Sequence, residues 1–255
     1  MIVTGNVSFE GINLHESNPE SLKKIRSSEI RYIFQEPAQS LNPVATIRSQ
    51  FRRATAVLPD KLTEEGSFEI LYQAGIQDPA RVLRAYLHQL SVGTIQRVLI
   101  AMALATKPKL LIADEPTSSV DALLRLQILG LLDSVRRESR MAVLLITHDL
   151  EVARRYADRI AVLYAGRIAE SSDTEDFFCN PRHPYSKLLM NSQITFGKRL
   201  EDIPTVNGST PGMGEPLPGC KFGPRCHKLC GDCLKSEPEL IDVGHDRKVR
   251  CHCWK

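Results

Sequence analysis

Two uninterrupted apolar stretches of this chain each end in polar residues. Leu110–Ala113 is followed directly by Asp114 and Glu115, and Ala142–Ile146 is followed, after one threonine, by His148. Apolar runs of this length without alternation are typical of strands in a parallel sheet that is covered on both faces. Ligands of such sheets collect outside the carboxyl ends of the strands. The pattern therefore predicts that these three polar side chains meet at one rim of a parallel sheet.

The chain before this sheet core predicts a hairpin, a further strand and a run of helices. Alternation over residues 7–14 indicates a hairpin, and a polar helix is expected over about 17–25. Residues 30–34 predict a strand that ends at Gln35. From residue 47 to about 89 the pattern is helical and contains no strand signal.

Two further elements are expected after the carboxylates. Asp121 suits a helix N-cap, because its carboxylate can accept from the free N–H groups of the first turn. The helix that follows predicts one buried face, because its apolar residues recur at helical spacing: Leu124, Ile128, Leu131, Leu132 and Val135. Residues 163–168 predict a hairpin centred on Ala165-Gly166 that closes the sheet.

The adjacent carboxylates suit two different tasks. Asp114 can help to hold Mg²⁺, a hard cation that proteins bind through carboxylates, water and substrate phosphates. Glu115, on the other side of the strand, can orient an attacking water. A buried strand that ends in two solvated acids would show the same residues, so the neighbouring segments decide between the two interpretations.

Composition limits the class of protein. The 255 residues are 42% hydrophobic, enough for one ordinary domain and a smaller appendage. Charged residues make up 25% and the net charge is +3, which gives no argument for nucleic-acid binding. No stretch approaches the roughly 18 apolar residues of a membrane span, and the first five residues lack the pattern of a signal peptide. We therefore expect a cytosolic chain whose membrane association comes through a partner.

The motifs around the carboxylates follow one another in a particular order. Residues 88–97 open a helix at His-Gln-Leu-Ser-Val-Gly, residues 114–121 read Asp-Glu-Pro-Thr-Ser-Ser-Val-Asp, and His148 follows one strand later. This order resembles the signature motif, Walker B strand, D-loop and switch histidine of the ATP-binding subunits of ABC transporters. Residues 34–43, with Phe-Gln-Glu-Pro and Ser-Leu-Asn-Pro, resemble most the branch that imports oligopeptides, dipeptides or nickel.

This resemblance covers essentially the whole chain and implies its fold class. It implies an α/β fold, a partial P-loop NTPase domain of the ABC type with a mostly parallel sheet, an inserted helical subdomain and a small Cys-rich C-terminal extension. The nucleotide-binding domain would span 1–195 and be N-terminally incomplete, with the helical subdomain at about 47–92 docking on membrane subunits. Residues 196–255 would form a linker and the Cys-rich extension.

The resemblance also implies roles for single residues. Asp114 would hold the Mg²⁺ of ATP, and Glu115 would be the catalytic base. His148 would contact the γ-phosphate and the attacking water, although a lone histidine after a strand is more often structural. Gln35, otherwise a simple loop residue, would contact Mg²⁺ and sense the nucleotide. Asp121 would bridge two subunits in addition to capping its helix.

The signature segment departs from the family pattern Leu-Ser-Gly-Gly-x-x-Gln at one position. A helix start attracts phosphate through its free N–H groups and dipole. By resemblance, Ser91, Gly93 and Gln96 would contact ATP bound to the opposite subunit. Val92 replaces the first glycine, and a β-branched residue tolerates positive φ poorly. We therefore expect either a compatible backbone or a weaker hold on phosphate at that half-site.

No Gly-x-x-x-x-Gly-Lys-Ser/Thr occurs anywhere in the sequence. That loop cradles phosphates with its backbone and supplies a lysine to them. Two explanations compete: an N-terminally incomplete version of an ordinary subunit, or a degenerate subunit that offers only its signature to a partner. An uncovered sheet edge is costly and prone to aggregation, which favours the first.

The C-terminal part of the chain contains a second candidate site. A His-Pro-Tyr segment at residues 183–185 resembles the family segment after the nucleotide domain, and the Gly- and Pro-rich residues 207–218 indicate a linker. Four cysteines then match the C-terminal motif of peptide-importer ATPases: Cys220, Cys226, Cys233 and Cys251. Four thiolates are the ligand set of a [4Fe-4S] cluster or of structural zinc.

Three more cysteines complete the inventory. Cys230 and Cys253 are additional to the motif and create Cys230-x-x-Cys233 and Cys251-x-Cys253, so a Cys₄ zinc site rivals the iron–sulfur cluster. Disulfides are disfavoured in the cytosol. Cys179 stands apart and is expected to be a small buried residue.

The function implied by the resemblance is that of the ATP-binding and ATP-hydrolysing subunit of an importer of peptides, with ATP and Mg²⁺ as cofactors. Its partners would be a second ATP-binding subunit, like or unlike, the membrane permease subunits and, indirectly, a periplasmic peptide-binding protein, with no nucleic acid. It would sit peripherally on the cytoplasmic face of the inner membrane. Nickel import, a Sap-type antimicrobial-peptide system and a non-hydrolysing partner subunit are the alternatives. The Cys-rich C-terminal segment argues against a soluble ABC protein that acts on ribosomes or DNA.

Overall fold

The computed structural model describes residues 5–58, 62–117, 120–192, 208–212 and 217–254. The chain divides into two units, Met1–His148 and Asp149–Lys255, each with cores of its own. The domain boundary predicted at residues 195–196 and part of the linker predicted at residues 207–218 lie outside the described residues. That boundary stays a prediction.

The first unit contains five strands and six α-helices among its described residues. These are β1 (Ser8–Phe9), β2 (Ile12–Asn13), α1 (Pro19–Lys24), β3 (Ile30–Ile33), α2 (Ile47–Thr55), α3 (Glu64–Gln73), α4 (Pro79–Arg84), α5 (Val92–Leu104), β4 (Leu110–Asp114), α6 (Ala122–Ser139) and β5 (Ala142–Ile146). The predicted N-terminal hairpin is confirmed, since β1 pairs antiparallel with β2. One turn of π-helix, Ile25–Glu29, joins α1 to β3.

The predicted parallel sheet is confirmed. Its strand order is β3-β4-β5, and Leu110 pairs with Ile30 on one side and with Ala142 on the other. The three strands therefore begin level with one another, and their carboxyl ends reach the same rim. This register places the residues that follow each strand side by side.

The described residues cover one face of this sheet better than the other. Leu111 and Ala113 are fully buried, and Leu111 shares a core cluster with Ile128 of α6. Leu144 of β5 is 51% exposed. The expectation that both faces are covered therefore holds for one face only within the described part of the chain.

The segment predicted to be helical is helical. Its helices α2, α3 and α4 pack with α5 around Phe51 and Leu71, which are almost completely buried. Each helix has a side-chain N-cap, such as Thr46 for α2 and Asp78 for α4, which accept from backbone N–H groups of the first turn. The described residues of 47–91 contain helices and turns and no strand.

The second unit contains three α-helices and four strands among its described residues. These are α7 (Leu150–Tyr156), β6 (Arg159–Tyr164), β7 (Arg167–Asp173), α8 (Thr174–Cys179), α9 (Pro184–Asn191), β8 (Ile241–Asp242) and β9 (Lys248–Val249). The predicted hairpin is confirmed at β6 and β7, with Ala165 and Gly166 at positive φ of 45° and 76°. The expectation that it closes the parallel sheet was wrong, because β6 and β7 belong to a separate antiparallel sheet of order β6-β7-β9-β8.

A buried ion pair joins the C-terminal strand to the rest of this unit. The Glu170 carboxylate of β7 is fully buried and accepts from the Arg247 guanidinium at 3.0 Å. It also accepts from the backbone N–H groups of Arg182 at 2.8 Å and His183 at 2.8 Å. A buried carboxylate is tolerated only with such partners, so these bonds fix the turn before α9 against β7 and β9.

Cys179 does not match its prediction. It lies at the end of α8 and is exposed, whereas Phe177 of the same helix is fully buried. The helix therefore turns Phe177 toward the core and Cys179 away from it. Within the described ranges, no helix combines the length and apolar character that a bilayer crossing requires.

Candidate functional site

Four predicted residues meet at the carboxyl rim of the parallel sheet. Gln35 follows β3, Asp114 ends β4, Glu115 comes next, and His148 follows β5. The Glu115 carboxylate accepts from Gln35 Nε2 at 3.0 Å through Oε2, and its Oε1 lies 3.0 Å from His148 Nδ1. The predicted convergence of residues from three separate strands is therefore present.

The backbone of Glu115 has an unusual conformation. Its φ is +43°, in the left-handed region that non-glycine residues rarely occupy. The Glu115 N–H donates to the carbonyl of Ile146 at 2.9 Å, which continues the ladder between β4 and β5 by one residue. The sheet therefore holds the turn, and the left-handed turn directs the side chain toward Gln35 and His148. Strained backbone of this kind is concentrated at functional sites.

Tyr32 is a member of this site that sequence reasoning missed. It lies on β3, and its hydroxyl donates to Asp114 Oδ2 at 2.8 Å. The hydrogen bond to the Asp114 carboxylate, with a smaller effect of desolvation, raises the pKa of Tyr32. The ring of Phe34 lies 4.4 Å from that of Tyr32. Tyr32 belongs to no motif of the sequence. Its position beside Asp114 follows only from the pairing of β3 with β4, in which Tyr32 is aligned with Ile112.

The donor set at this rim fits a hard cation and a phosphate. The Asp114 carboxylate and the Gln35 amide supply oxygen atoms, the ligands that Mg²⁺ prefers. His148 has a side chain that is 77% exposed, so its ring is accessible to a phosphate. Glu115 is 24% exposed at its side chain and can accept a proton from a bound water.

The signature segment forms the start of α5. Ser91 is its N-cap and accepts from the Thr94 N–H at 3.2 Å, and Ser91 and Val92 are both exposed. Val92 is the first helical residue and has no positive φ, so the backbone is compatible with a β-branched side chain. Of the two expectations for Val92, the structure supports a backbone that is compatible with valine.

Gly93 and Gln96 have packing roles in this helix. A Cβ added to Gly93 would lie 2.5 Å from Leu124 Cδ2, so glycine allows α5 to approach α6 closely. Gln96 is only 2% exposed, and its Nε2 has no hydrogen-bond partner within the described residues. It therefore lies inside the unit and not beside Ser91 at the exposed helix start. The contacts predicted for these residues with a second subunit's nucleotide stay predictions.

Asp121 caps α6 as expected. Its Oδ1 accepts from the Leu124 N–H at 2.9 Å, and its backbone is extended, as an N-cap requires. Of the predicted buried face of this helix, Ile128 and Leu132 are almost fully buried. The bridging role of Asp121 toward a second subunit stays a prediction.

The cysteine-rich segment brings together a different set of sulfurs from the one predicted. Within the described residues, one group of thiols has all its sulfur atoms within 4.8 Å of one another, and it consists of Cys230, Cys233 and Cys253. Cys230 and Cys253 are joined by a disulfide, which was the disfavoured option. Of the predicted quartet only Cys233 belongs to this group.

The other three members of the quartet, Cys220, Cys226 and Cys251, do not belong to this group. Burial raises the pKa of Cys220 and of Cys226, and it raises that of Cys251 to about 11. Backbone N–H groups act in the opposite direction: Lys228 N–H donates to Cys226 Sγ at 3.4 Å, and Cys253 N–H donates to Cys251 Sγ at 3.3 Å. Binding of an iron–sulfur cluster or of zinc by the quartet stays a prediction.

Two family models match this chain. The ABC transporter family matches residues 2–118, and the family described as the C-terminal region of oligopeptide/dipeptide transporters matches residues 169–233. The first match contains the residues before and within β4, and the second contains the His-Pro-Tyr segment and three of the predicted quartet cysteines.

Individual relatives match along nearly the whole chain. The oligopeptide transport ATP-binding protein AppD of Bacillus subtilis is 36% identical over 257 residues, which cover 100% of this chain and 78% of AppD. The dipeptide transport ATP-binding protein DppD of Escherichia coli is 37% identical over 254 residues, which cover 98% of this chain and 78% of DppD.

Solved structures with the same fold include two ABC cassettes. A dimeric structure of a post-hydrolysis state of the ATP-binding cassette MJ0796, bound to ADP and Pi, aligns with a TM-score of 0.60 at 29% identity, over 67% of this chain and 74% of that one. The structure of cbiO1 from Clostridium perfringens, part of the ABC transporter complex cbiONQ, aligns with a TM-score of 0.58 at 26% identity, over 69% of each chain.

Proposed function

The chain belongs to the family of ATP-binding subunits of oligopeptide and dipeptide ABC transporters, and from this premise we propose that it binds and hydrolyses ATP to energise a peptide importer. The observation that carries the proposal is the contact of Glu115 with both Gln35 and His148 beside Asp114. Relatives whose names specify oligopeptide or dipeptide transport support peptides as the cargo over nickel.

Each residue at the rim has a role in this proposal. Asp114 and Gln35 hold the Mg²⁺ of the nucleotide, and Tyr32 fixes the Asp114 carboxylate through its hydroxyl. Glu115 accepts the proton of the attacking water, and His148 orients Glu115 and contacts the γ-phosphate. When bound there, Mg²⁺ would supply positive charge against the phosphate oxygens.

The proposed assembly contains two ATP-binding subunits. Ser91 and Gly93 at the start of α5 face the nucleotide of the partner subunit, and Asp121 bridges the pair. An exposed helix start with a serine N-cap suits a phosphate there. The helical segment of residues 47–92 docks on the permease subunits, which keeps the protein peripheral on the cytoplasmic face of the inner membrane. A periplasmic peptide-binding protein delivers the cargo from the other side.

The test is peptide-stimulated ATP turnover by the transporter assembled with this subunit. We expect Glu115→Gln to lower turnover by about 10²–10⁴-fold, the contribution of a general base, while nucleotide binding persists. Glu138→Gln is the matched control, because Glu138 is exposed near the end of α6 and lies in no proposed site. Unchanged turnover in Glu115→Gln would remove the proposal.

A second candidate function is that of a partner subunit that supplies only its signature. It agrees with the exposed start of α5, where Ser91 is the N-cap. In that case Glu115→Gln leaves turnover by the assembly unchanged, whereas Ser91→Ala lowers it. The two variants therefore separate the candidates.

A further inference from the structure

A tyrosine hydroxyl is bonded to one of the two oxygen atoms that Asp114 can offer to a cation. The Tyr32 hydroxyl donates to Asp114 Oδ2 at 2.8 Å. Within the described residues, this is the hydrogen bond that the Asp114 side chain makes, and Oδ1 has no donor beside it. The two oxygen atoms of this carboxylate are therefore not equivalent, because a hydroxyl proton lies against Oδ2 and none lies against Oδ1.

The parallel pairing of β3 with β4 brings Tyr32 to this position. Tyr32 is aligned with Ile112, and Asp114 follows Ile112 by two residues, so the three side chains lie on the same face of the sheet. A diagonal neighbour on the adjacent strand is within reach of a long aromatic side chain. The Phe34 ring packs beside the Tyr32 ring, with 4.4 Å between the centroids. The hydroxyl thus reaches Asp114 from a neighbouring strand.

Mg²⁺ and Ca²⁺ differ in the number of oxygen atoms that they take from a protein. Mg²⁺ requires near-ideal octahedral geometry and is usually held by one or two carboxylates together with substrate phosphates and water. Ca²⁺ takes roughly six to eight oxygen atoms and accepts both atoms of one carboxylate. A hydroxyl proton repels a cation that approaches the oxygen to which it is bonded. A carboxylate such as that of Asp114, with Oδ2 bonded to a hydroxyl, therefore suits Mg²⁺ better than Ca²⁺.

We propose that Tyr32 makes the cation site at Asp114 selective for Mg²⁺ over Ca²⁺, because its hydroxyl leaves Asp114 with one available oxygen atom. This inference rests on the proposed function, in which Asp114 holds the Mg²⁺ of the nucleotide. Tyr32 is a positioning residue: it acts through the Asp114 carboxylate and is not itself a ligand. The selectivity comes from a hydrogen bond beside the site and not from the number of acidic residues in it.

Three substitutions isolate the effect of the hydroxyl. Tyr32→Phe removes the hydroxyl and keeps the ring that packs on Phe34, and Tyr32 is 40% exposed, so the change opens no cavity in a core. Tyr72→Phe is the matched control, because Tyr72 is 60% exposed on α3 and lies in no proposed site. Asp114→Asn identifies the metal binding that depends on this carboxylate.

The experiment measures the metal affinity of the full chain in the presence of AMP-PNP, an ATP analogue that is not hydrolysed. Mn²⁺, which prefers the same oxygen ligands, is followed by electron paramagnetic resonance, and Mg²⁺ and Ca²⁺ are titrated as competitors. A sample without protein gives the binding by the analogue alone.

We expect Tyr32→Phe to weaken Mg²⁺ binding by about tenfold, the lower end of the cost of an outer-shell change. Ca²⁺ binding should not weaken, because Oδ2 becomes available to that ion. The ratio of the Mg²⁺ affinity to the Ca²⁺ affinity should therefore fall by at least about tenfold, whereas Tyr72→Phe should keep the wild-type ratio. A residue with a purely structural role would lower both affinities together and leave the ratio unchanged.

Infrared difference spectra test the coordination directly. The separation between the antisymmetric and symmetric stretching bands of a carboxylate distinguishes binding through one oxygen atom from binding through two. On addition of Ca²⁺ we expect two-oxygen bands in Tyr32→Phe, one-oxygen bands in the wild type, and neither in Asp114→Asn. Two-oxygen bands in the wild type would overturn the inference.

The remaining outcomes separate this inference from the proposed function. An unchanged affinity ratio in Tyr32→Phe, including an equal loss for both ions, would overturn the inference and leave the proposed function intact. Metal binding that does not exceed that of the analogue alone, or that Asp114→Asn does not weaken, would remove the metal role of Asp114 from the proposed function and overturn the inference with it.

Discussion

Protonation of His183 is expected to destabilise the second unit as the pH falls. The imidazole is 3% exposed, and burial lowers its pKa to about 4, although the negative Glu170 acts in the opposite direction. Its Nδ1 accepts from the Tyr185 N–H at 3.0 Å and so caps α9. A proton on Nδ1 would remove this acceptor. The structure thus explains the His-Pro of the His-Pro-Tyr segment: His183 is the N-cap and Pro184 is the first helical residue.

The size of the effect follows from the two pKa values. The unfolded chain has a histidine pKa of about 6.5, and the folded chain has one of about 4. Between these values the unfolded state binds a proton that the folded state does not, so the free energy of unfolding decreases as the pH falls through this window. The full difference is about 3 kcal/mol, and about 2 kcal/mol of it is lost between about pH 7 and about pH 5.

Urea unfolding followed by tryptophan fluorescence measures this change. The chain contains one tryptophan, Trp254, which belongs to the second unit. His183→Asn keeps a side chain that can cap a helix but does not titrate, so it should lose about 2 kcal/mol less than the wild type between about pH 7 and about pH 5. His245→Asn is the control, because His245 is exposed and lies at a positive φ that asparagine tolerates. Equal pH dependence in the wild type and His183→Asn would refute the reasoning.

Three further substitutions test the fold around both candidate sites. Glu170→Ala leaves the Arg247 guanidinium buried without its carboxylate and should lower the free energy of unfolding by about 3–5 kcal/mol. Unfolding is followed by Trp254 fluorescence, and a loss of stability no larger than that of a surface glutamate variant would contradict this. Gly219→Ala forces its Cβ to 2.3 Å from the Cys233 carbonyl and should cost about 1–3 kcal/mol, by the same measurement. Asp121→Ala should cost about 1 kcal/mol through the lost N-cap of α6, measured by circular dichroism, whereas Asp121→Asn should lose much less.

The parallel-sheet rim could be predicted from the sequence because two signals agreed. Apolar runs without alternation located β4 and β5, and polar residues at their ends located Asp114, Glu115 and His148. The motif order then supplied Gln35. Local signals of this kind depend only on residues close in sequence, and they also located the cap at Asp121.

Features that depend on tertiary contacts could not be predicted in the same way. The hydrogen bond from Tyr32 to Asp114 requires the register between β3 and β4, which no local pattern specifies. The burial of Gln96 depends on which face of α5 turns inward. The pairing of Cys230 with Cys253 joins residues 23 positions apart, and connectivity among several cysteines cannot be deduced from spacing alone.

In the proposed mechanism, the single carboxylate of Glu115 is linked to both the metal side and the phosphate side of the site. Gln35 and His148 each hold one of its oxygens, and they follow different strands. In that mechanism an attacking water would take the place of one of these partners, and the exchange would cost little because a hydrogen bond contributes only about 0.5–1.5 kcal/mol net.

The backbone of Glu115 is held independently of Gln35 and His148, by the bond from its N–H to the Ile146 carbonyl. In the proposed mechanism, the left-handed conformation at Glu115, which costs about 1–3 kcal/mol, would therefore keep the carboxylate in position while Gln35 contacts the metal and His148 contacts the phosphate.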